Sequence, residues 1–288
     1  MKILVVSDIH YETGKRRYHL QGFDEAKSLP WLRQTAEARG VDTIINLGDL
    51  GDSVTRQEWD ELVRDYRVYS LYGNHDNYHL LKRVKNVDGS PLLMNDSDIR
   101  DFYGQRFGFI NGIVTHTGKQ KRRVPRKTPE QFVKVAEGLR DKVDFLCMHE
   151  SPPVALYRKK LLGAENVLAA KLAADIAAPK ITLSGHLGFG PFTIAPIIES
   201  RDILSIRIDS GQDNKGYAVI DTRQKDITLY QDTMPKYKFS IPAVRERMAD
   251  VIENVNKFNA ERNRVFSSLA RDSAVDRTAT REGLVKLV

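Results

Sequence analysis

The sequence predicts an α/β fold, in which buried strands alternate with helices. Five short, mainly apolar runs each end in polar residues, as strands do when they are buried on both faces and deliver side chains at their carboxyl ends. Stretches with an apolar spacing near 3.6 residues separate them, as crossover helices should. The predicted strands span 3–6, 43–47, 67–72, 143–148 and 181–183, and the predicted helices span about 24–39, 55–65, 128–140 and 165–177.

The rest of the chain has a different pattern. Short β runs separated by Gly, Asp and Asn turns predict an antiparallel meander over 191–231. After Pro242 a long polar helix is predicted through about Arg271. We therefore expect a main domain over 1–235 and a C-terminal helical extension over 241–288.

The predicted C-terminal helix carries an apolar stripe in alternating steps of four and three residues, interrupted at Arg262. Two interpretations remain open: packing on its own domain, which we favour, or a seam that pairs two copies of the chain, since so short a heptad run indicates little. The stripe consists of Val244, Met248, Val251, Val255, Phe258, Val265 and Leu269.

Composition excludes several classes of protein. Across 288 residues, 41% hydrophobic and 29% charged residues are incompatible with a disordered or collagen-like chain. The 45 Lys and Arg against 38 Asp and Glu give a net charge of +7, which favours anionic partners. The single cysteine, Cys147, excludes an intrachain disulfide and fits a reducing cytoplasm. No apolar segment reaches membrane length, so we expect a cytoplasmic protein without a membrane partner.

The polar residues at the five strand ends form a chemically coherent set. They are carboxylates, imidazoles and one amide, which suit a pair of divalent ions such as Mn²⁺, Fe²⁺, Zn²⁺ or Co²⁺. The carboxyl ends of strands in an open α/β sheet are also where sites form. The residues are Asp8, His10, Asp49, Asn74, His75, His149 and His186.

The spelling of these motifs resembles the calcineurin-like metallophosphoesterase superfamily over residues 1 to about 231. The motifs are Asp8-Ile9-His10, Gly48-Asp49-Leu50-Gly51-Asp52, Gly73-Asn74-His75-Asp76, Met148-His149-Glu150 and Ser184-Gly185-His186. The resemblance implies a four-layer αββα sandwich, with two mixed β-sheets flanked by helices, to which this chain would add its C-terminal helix. It also implies a metal-dependent phosphoester hydrolase, and we expect phosphodiesters as the substrate class.

The resemblance implies a role for each motif residue. Asp8 and His10 would hold the first ion, and Asp49 would bridge both. Asn74, His149 and His186 would hold the second. We expect Mn²⁺, with Fe, Zn, Co or Ni as alternatives. A hydroxide between the ions would attack phosphorus, His75 would protonate the leaving oxygen, and Asp52 would orient His75.

One motif departs from the family pattern. The last one usually reads Gly-His-x-His, and its second histidine completes the shell of the first metal, whereas here the position is Gly188. Three outcomes are open: a labile first metal, a replacement ligand such as His19, His116 or Glu12, or a single metal and weak catalysis. The last would make the chain a weakened anion-binding or regulatory protein. The intact His75 favours an enzyme.

Basic residues indicate the size of the substrate. Residues 119–127 contain six cations, and with Arg16 and Arg17 they would contact a polyanion such as a nucleic acid, so nuclease activity is one form of the hypothesis. A solvated loop explains the same charges, and no zinc finger, RNA-binding signature or helix-turn-helix is present. The candidate substrate contacts are Arg16, Arg17, Arg122, Arg123 and Arg126. Ser53 stands where the protein phosphatases have the Arg of an Arg-Gly pair.

Overall fold

Two six-stranded mixed β-sheets form the centre of the computed structural model, which describes residues 1–13, 24–118, 124–157, 159–188 and 190–261. The first sheet has, in spatial order, β14 (Met234–Ser240), β13 (Asp226–Gln231), β12 (Gly216–Asp221), β1 (Lys2–Val6), β2 (Thr43–Asn46) and β3 (Arg67–Ser70). The second has β10 (Phe192–Ile197), β11 (Ser200–Ile208), β9 (Ile181–Ser184), β8 (Phe145–Met148), β5 (Arg106–Ile110) and β4 (Ile99–Asp101). A separate parallel pair is formed by β6 (Ile113–Val114) and β7 (Arg126–Lys127).

Helices cover the outer face of each sheet. The longer ones are α1 (Ser28–Arg39) and α2 (Arg56–Asp65) on the first sheet, and α4 (Pro129–Glu137) and α6 (Glu165–Ala177) on the second. Three short helices are α3 (Tyr78–Leu81), α5 (Lys159–Leu162) and α7 (Ile241–Glu246). Within the described ranges, no helix is long and apolar enough to cross a membrane.

The alternation of side chains along the strands explains the layers. In β1, Ile3 and Val5 pack into the core between the sheets, whereas Leu4 and Val6 pack against α1 and α2. A strand with both faces buried has to be apolar throughout, as this one is. The predicted four-layer sandwich is therefore confirmed. Cys147 lies in the core between the sheets, where burial raises the pKa of its thiol.

The prediction of one antiparallel meander over 191–231 is wrong in one respect. The hairpin of β10 and β11 belongs to the second sheet, and β11 pairs with β9 in parallel, with Arg207 opposite Ser184. Strands β12, β13 and β14 form a separate antiparallel run, and they extend the first sheet beyond β1. The end of β11 therefore reaches the same edge as the end of β9.

The predicted continuous helix after Pro242 is also wrong, because it breaks at Arg247. There the backbone leaves helical geometry (φ −139°, ψ 50°), and a second helix, α8, occupies 248–261. Val244, Val251 and Val255 are buried in the core between the sheets, and Met248 and Phe258 pack against it. Val265 and Leu269 lie outside the described residues. The apolar stripe, as far as it is described, packs inside its own chain.

Glu58 joins the start of α2 to the loop after β1. Its carboxylate accepts hydrogen bonds from the backbone N–H of Thr55 at 2.7 Å and from the hydroxyl of Tyr11 at 2.6 Å. The side chain of Thr55 accepts from the backbone N–H of Glu58, which completes a capping box. Burial raises the pKa of Glu58, but these hydrogen bonds outweigh burial, so the pKa lies below its usual value.

We expect Glu58→Gln to lower the free energy of unfolding by about 1 kcal/mol at neutral pH. Because the pKa of the folded state is the lower one, this contribution is present above the unfolded pKa and is lost as the pH falls through the folded pKa. Urea denaturation from neutral pH towards pH 3 should show the difference between variant and wild type shrinking. Glu137→Gln, at an exposed carboxylate on α4, is the control. An equal loss of stability at both ends of the pH range would contradict this account.

Candidate metal centre

The seven predicted site residues follow five strands that end at one edge of the two sheets. Strands β1, β2 and β3 are parallel in the first sheet, and β8 and β9 are parallel in the second. The residues after them are Asp8 and His10 (β1), Asp49 (β2), Asn74 and His75 (β3), His149 (β8) and His186 (β9). The site therefore spans both sheets.

Four of these residues have a left-handed backbone, which non-glycine residues rarely adopt. The φ angles are 56° at Asp8, 52° at His10, 57° at Asp49 and 67° at His186. Such conformations cost free energy and cluster at functional sites, where they aim side chains. The strain here coincides with the residues that the motifs single out.

Asp49 lies at the centre of the site. Its Oδ1 accepts a hydrogen bond from the backbone N–H of His75 at 2.7 Å, and its Oδ2 lies 3.5 Å from Nε2 of His149. It belongs to two groups whose possible ligand atoms all lie within 4.8 Å of one another: His10, Asp49 and His75, and Asp8, Asp49 and His149. A carboxylate shared by two cations would need such a position.

Asp8 is oriented by two hydrogen bonds to one of its oxygens. Oδ2 accepts from the hydroxyl of Ser7 at 2.7 Å and from the backbone N–H of His186 at 2.8 Å. Oδ1 lies 3.8 Å from Nε2 of His10. The loop after β9 thus fixes a carboxylate that follows β1, and leaves its second oxygen for a cation.

His149 and His186 converge on one point. Nδ1 of His149 lies 3.0 Å from the backbone oxygen of Leu47, so it carries the proton, and Nε2 has the lone pair when the ring is neutral. That Nε2 lies 3.0 Å from Nδ1 of His186. Two nitrogens bound to one ion at about 2.0–2.1 Å each would lie at about this separation.

The charges around His149 favour a cation. Burial lowers the pKa of His149, but the neighbouring Asp49, with Asp8 and Glu150, raises it to about 10. Burial also lowers the pKa of His10, and Asp49, Asp8 and Asp209 raise it overall. The pKa of Asp49 is lowered by His149 against the effect of burial. An environment that holds protons on imidazoles this strongly also attracts divalent ions.

The donor set therefore fits divalent metal ions. Buried carboxylate oxygens and buried or half-buried imidazole nitrogens converge in two groups that share Asp49, and the backbone carbonyl of Leu47 fixes the tautomer of His149. The sets predicted from the sequence, Asp8, His10 and Asp49 for one ion and Asp49, Asn74, His149 and His186 for the other, divide these residues differently. In the structure Asp8 converges with Asp49 and His149, whereas His10 converges with Asp49 and His75.

His75 lies beside the first of these groups. Its ring centroid is 5.0 Å from that of His10, and the two rings are nearly perpendicular. Both rings are half-buried, so a substrate can approach them. Asp52, which we expected to orient His75, has an exposed side chain in the turn before α2.

Among the predicted substrate contacts, the structure describes Arg126 alone. Arg126 is half-buried on β7, and its buried Nε has no hydrogen-bond partner within the described part of the chain. Its neighbour Lys127 donates to the backbone oxygen of Asn111 at 2.7 Å and pairs with Asp96 at 3.1 Å. The predicted contacts Arg16, Arg17, Arg122 and Arg123 lie outside the described residues.

The candidate replacement ligands are placed as follows. The side chain of His116 is 83% exposed and pairs with Glu165 at 2.9 Å, which removes it from the metal centre. Glu12 accepts a hydrogen bond from the hydroxyl of Ser53. His19 lies outside the described residues.

Two buried aspartates of the site have no predicted role. Asp76 accepts hydrogen bonds from the backbone N–H groups of Asp49 at 2.7 Å, Gly51 at 3.1 Å and Gly73 at 2.8 Å, and so joins the loops after β2 and β3. Burial, with Asp49 adding to it, raises the pKa of Asp76 to about 6. Asp209 follows β11 at the same edge. The sequence could have indicated Asp76, because it belongs to the motif Gly73-Asn74-His75-Asp76. Asp209 was missed because the predicted antiparallel meander did not bring the end of β11 to this edge.

The two mixed sheets and the donor set at their common edge define a four-layer sandwich with a candidate metal centre. A family model for the calcineurin-like phosphoesterases matches residues 1–188, and the chain belongs to this family. The predicted resemblance is confirmed. Members are metal-dependent, and the Asp and His groups described above could bind the metal.

The chain is also similar to solved structures. It matches GAP50, the anchor in the inner membrane complex of Plasmodium, with 13% identity and a TM-score of 0.50, over 83% of this chain and 88% of that one. It matches Yfce, a phosphoesterase from E. coli, with 11% identity and a TM-score of 0.41, over 84% and 100% of the two chains. At these identities the likeness shows the fold alone. No curated protein matches the sequence.

Proposed function

We propose that the protein is a metal-dependent phosphoester hydrolase that acts on phosphodiesters, with Mn²⁺ as the working ion. The observation that carries the proposal is the position of Asp49, which is shared by two groups of possible ligands, one of which contains His75. An anion-binding protein has no need of an imidazole at that point. The family supports a phosphoester hydrolase, and the site supports the finer assignment.

Two bound divalent ions would neutralise the phosphate charge and lower the pKa of a water to supply the nucleophile. The residues of the chain have separate tasks. Asp8, held through Oδ2 by Ser7 and His186, presents Oδ1, and Asp49 is held by the backbone N–H of His75. Because these carboxylates are already held in place as ligands, the site would need little reorganisation when charge develops on the phosphoryl oxygens.

His75 would protonate the leaving oxygen. Its ring stands perpendicular to that of His10 and is half-buried, so it lies at the boundary between the ligand groups and solvent. Proton transfer by a positioned imidazole contributes about 10²–10⁴-fold to a rate. The contribution is largest for an alkoxide leaving group, which needs the proton most.

We infer a phosphodiester rather than a phosphomonoester as the substrate because Ser53 stands where the protein phosphatases have an arginine. Arg126, half-buried on β7, is a candidate contact for the non-scissile part of a nucleic acid strand.

The test compares two phosphodiesters in the presence of Mn²⁺. For a single-stranded oligonucleotide, which has an alkoxide leaving group, we expect His75→Ala to lower kcat by about 10²-fold or more. For bis-p-nitrophenyl phosphate, whose leaving group is more acidic, the loss should be clearly smaller. His116→Ala is the matched control, because that histidine is exposed and pairs only with the exposed Glu165 among its described contacts.

Equal losses on both substrates would show that His75 supports the structure rather than donating a proton. If the wild-type protein binds Mn²⁺ but hydrolyses neither substrate at saturation, the enzyme assignment is wrong. The chain would then be the anion-binding or regulatory protein that Gly188 suggests.

A further inference from the structure

Asp209 follows β11 at the edge of the sheets that carries Asp8 and His10. Strand β11 runs parallel to β9, so the residue after β11 reaches the edge where His186 lies. The backbone N–H of Ser210 donates to the backbone oxygen of Ser7 at 2.8 Å, and the backbone N–H of Ser7 donates to the hydroxyl of Ser210 at 3.2 Å. The residue after Asp209 is thus fastened to the residue before Asp8.

The carboxylate of Asp209 is buried, with 8% of the residue exposed. Oδ1 accepts from the backbone N–H of Gly211 at 3.1 Å, and Oδ2 accepts from the side-chain amide of Asn214 at 2.9 Å. A buried carboxylate needs a positive partner.

Arg207 supplies that positive charge only in part. Its Nη1 lies 3.9 Å from Oδ2 of Asp209 but donates to the backbone oxygen of Leu187 at 2.6 Å. Its Nη2 donates to the backbone oxygen of Gly190 at 2.7 Å. The strong hydrogen bonds of the guanidinium therefore hold the loop after His186, and its 3.9 Å distance from Oδ2 of Asp209 is too long for a hydrogen bond.

Position 188 points at Asp209. A Cβ built on Gly188 would lie 3.8 Å from Oδ2 of Asp209, and no other described atom outside its chain neighbours lies within 4 Å. The backbone of Gly188 is not left-handed, so a side chain is tolerated there. The carboxylate of Asp209 lies in the space into which a side chain at position 188 would project.

We propose that Asp209 is a ligand of the ion held by Asp8, His10 and Asp49, in place of a side chain from position 188. The proposal rests on the proposed function, because it requires a cation at this edge. The first ion would then have three carboxylates and one imidazole. The second ion would have two imidazoles, an amide and the shared carboxylate. Harder donors favour Mn²⁺ over Zn²⁺, so the two positions differ in metal preference.

The test is equilibrium binding of Mn²⁺ to EDTA-treated protein, measured by calorimetry and by the electron paramagnetic resonance of free Mn²⁺. We expect two sites in the wild type, and in Asp209→Asn a weakening of one of them by about 10–100-fold, with the other within threefold. Asp213→Asn is the matched control, since it removes the same charge from an exposed residue of the same loop. It should leave both sites unchanged.

The double variant Asp209→Asn with Gly188→His tests the geometry. A histidine at position 188 should restore the weakened site, and restore it more for Zn²⁺ than for Mn²⁺, because imidazole replaces carboxylate. A role in packing alone would not produce that change in metal preference. If Asp209→Asn does not fold, Asp209→His decides, because an imidazole in place of the carboxylate should shift the preference of one site from Mn²⁺ towards Zn²⁺, and an unchanged preference would overturn the proposal.

Wild-type binding in Asp209→Asn, with hydrolysis intact, would overturn this inference and leave the proposed function standing. Equal weakening of both sites would also overturn it, because that pattern indicates a structural role. A wild-type protein that binds neither Mn²⁺ nor Zn²⁺ would instead disprove the proposed function.

Discussion

Replacing Gly73 by alanine is expected to lower kcat/KM for phosphodiester hydrolysis by at least about 100-fold. A Cβ at this position would lie 2.6 Å from Cγ of Asp49 and 2.7 Å from Nε2 of His149. Contacts this short force both candidate ligands to move, and a displacement of about 1 Å in a catalytic site costs about 10²-fold. Calorimetry should show weaker Mn²⁺ binding in the same variant.

Gly163→Ala is the control for this substitution. It adds the same methyl group where nothing that the structure describes lies within 4 Å, and Gly163 is not left-handed. It should therefore behave as the wild type. Activity of Gly73→Ala within tenfold of the wild type would show that the site adapts to the methyl group and that this close packing is dispensable.

Replacing Asp76 by alanine is expected to lower the free energy of unfolding by about 3 kcal/mol or more. The substitution leaves three backbone N–H groups, those of Asp49, Gly51 and Gly73, without their acceptor. Each buried unsatisfied donor costs about 1–3 kcal/mol. Asp76→Asn should lower the free energy of unfolding by less than Asp76→Ala. The amide oxygen of the asparagine can still accept from the backbone N–H groups of Asp49 and Gly73, which now donate to Oδ2 of Asp76.

Urea denaturation in EDTA measures this effect without any contribution from metal. Asp101→Ala is the control, because Oδ1 of this exposed aspartate accepts one hydrogen bond, from the backbone N–H of Gly104 at 2.8 Å. It should cost less than about 1 kcal/mol. A loss of stability in Asp76→Ala no larger than that of the control would contradict the proposed joining of the two loops.

The parallel strands could be predicted because their sequences report burial directly. The run Ile3-Leu4-Val5-Val6 has to be apolar, since one side chain in two faces the second sheet and the others face helices. The polar residues that follow such runs then identify the edge where the site forms. This logic accounts for the positions of Asp8, Asp49, His149 and His186.

Other elements depend on tertiary packing that local sequence does not report. Strand β5 was not predicted, because Gly108 interrupts its apolar pattern. A Cβ there would lie 2.7 Å from Cγ1 of Val143, so the glycine is required by a distant contact. The sequence gives no sign of the break at Arg247, because residues 243–261 contain neither Gly nor Pro.

The parallel pairing of β11 was missed for a related reason. Alternating side chains indicate a strand but do not tell whether its partner runs parallel or antiparallel. An antiparallel meander would have carried the end of β11 away from the other strand ends. Asp209 consequently had no predicted role, although the residue after it, Ser210, is hydrogen-bonded to the residue before Asp8.

The span of the donors across both sheets has a consequence for folding. The sheets meet through an apolar core, and apolar contacts have no fixed direction. Cations that share Asp49, held by Asp8 from the first sheet and by His149 and His186 from the second, would cross-link the sheets. They would join parts of the chain as far apart as Asp8 and His186, which are 178 residues apart. A ligand at 100 times its Kd stabilises the folded state by about 2.7 kcal/mol. The concentration of free divalent metal would thus affect the stability of the packing between the two sheets.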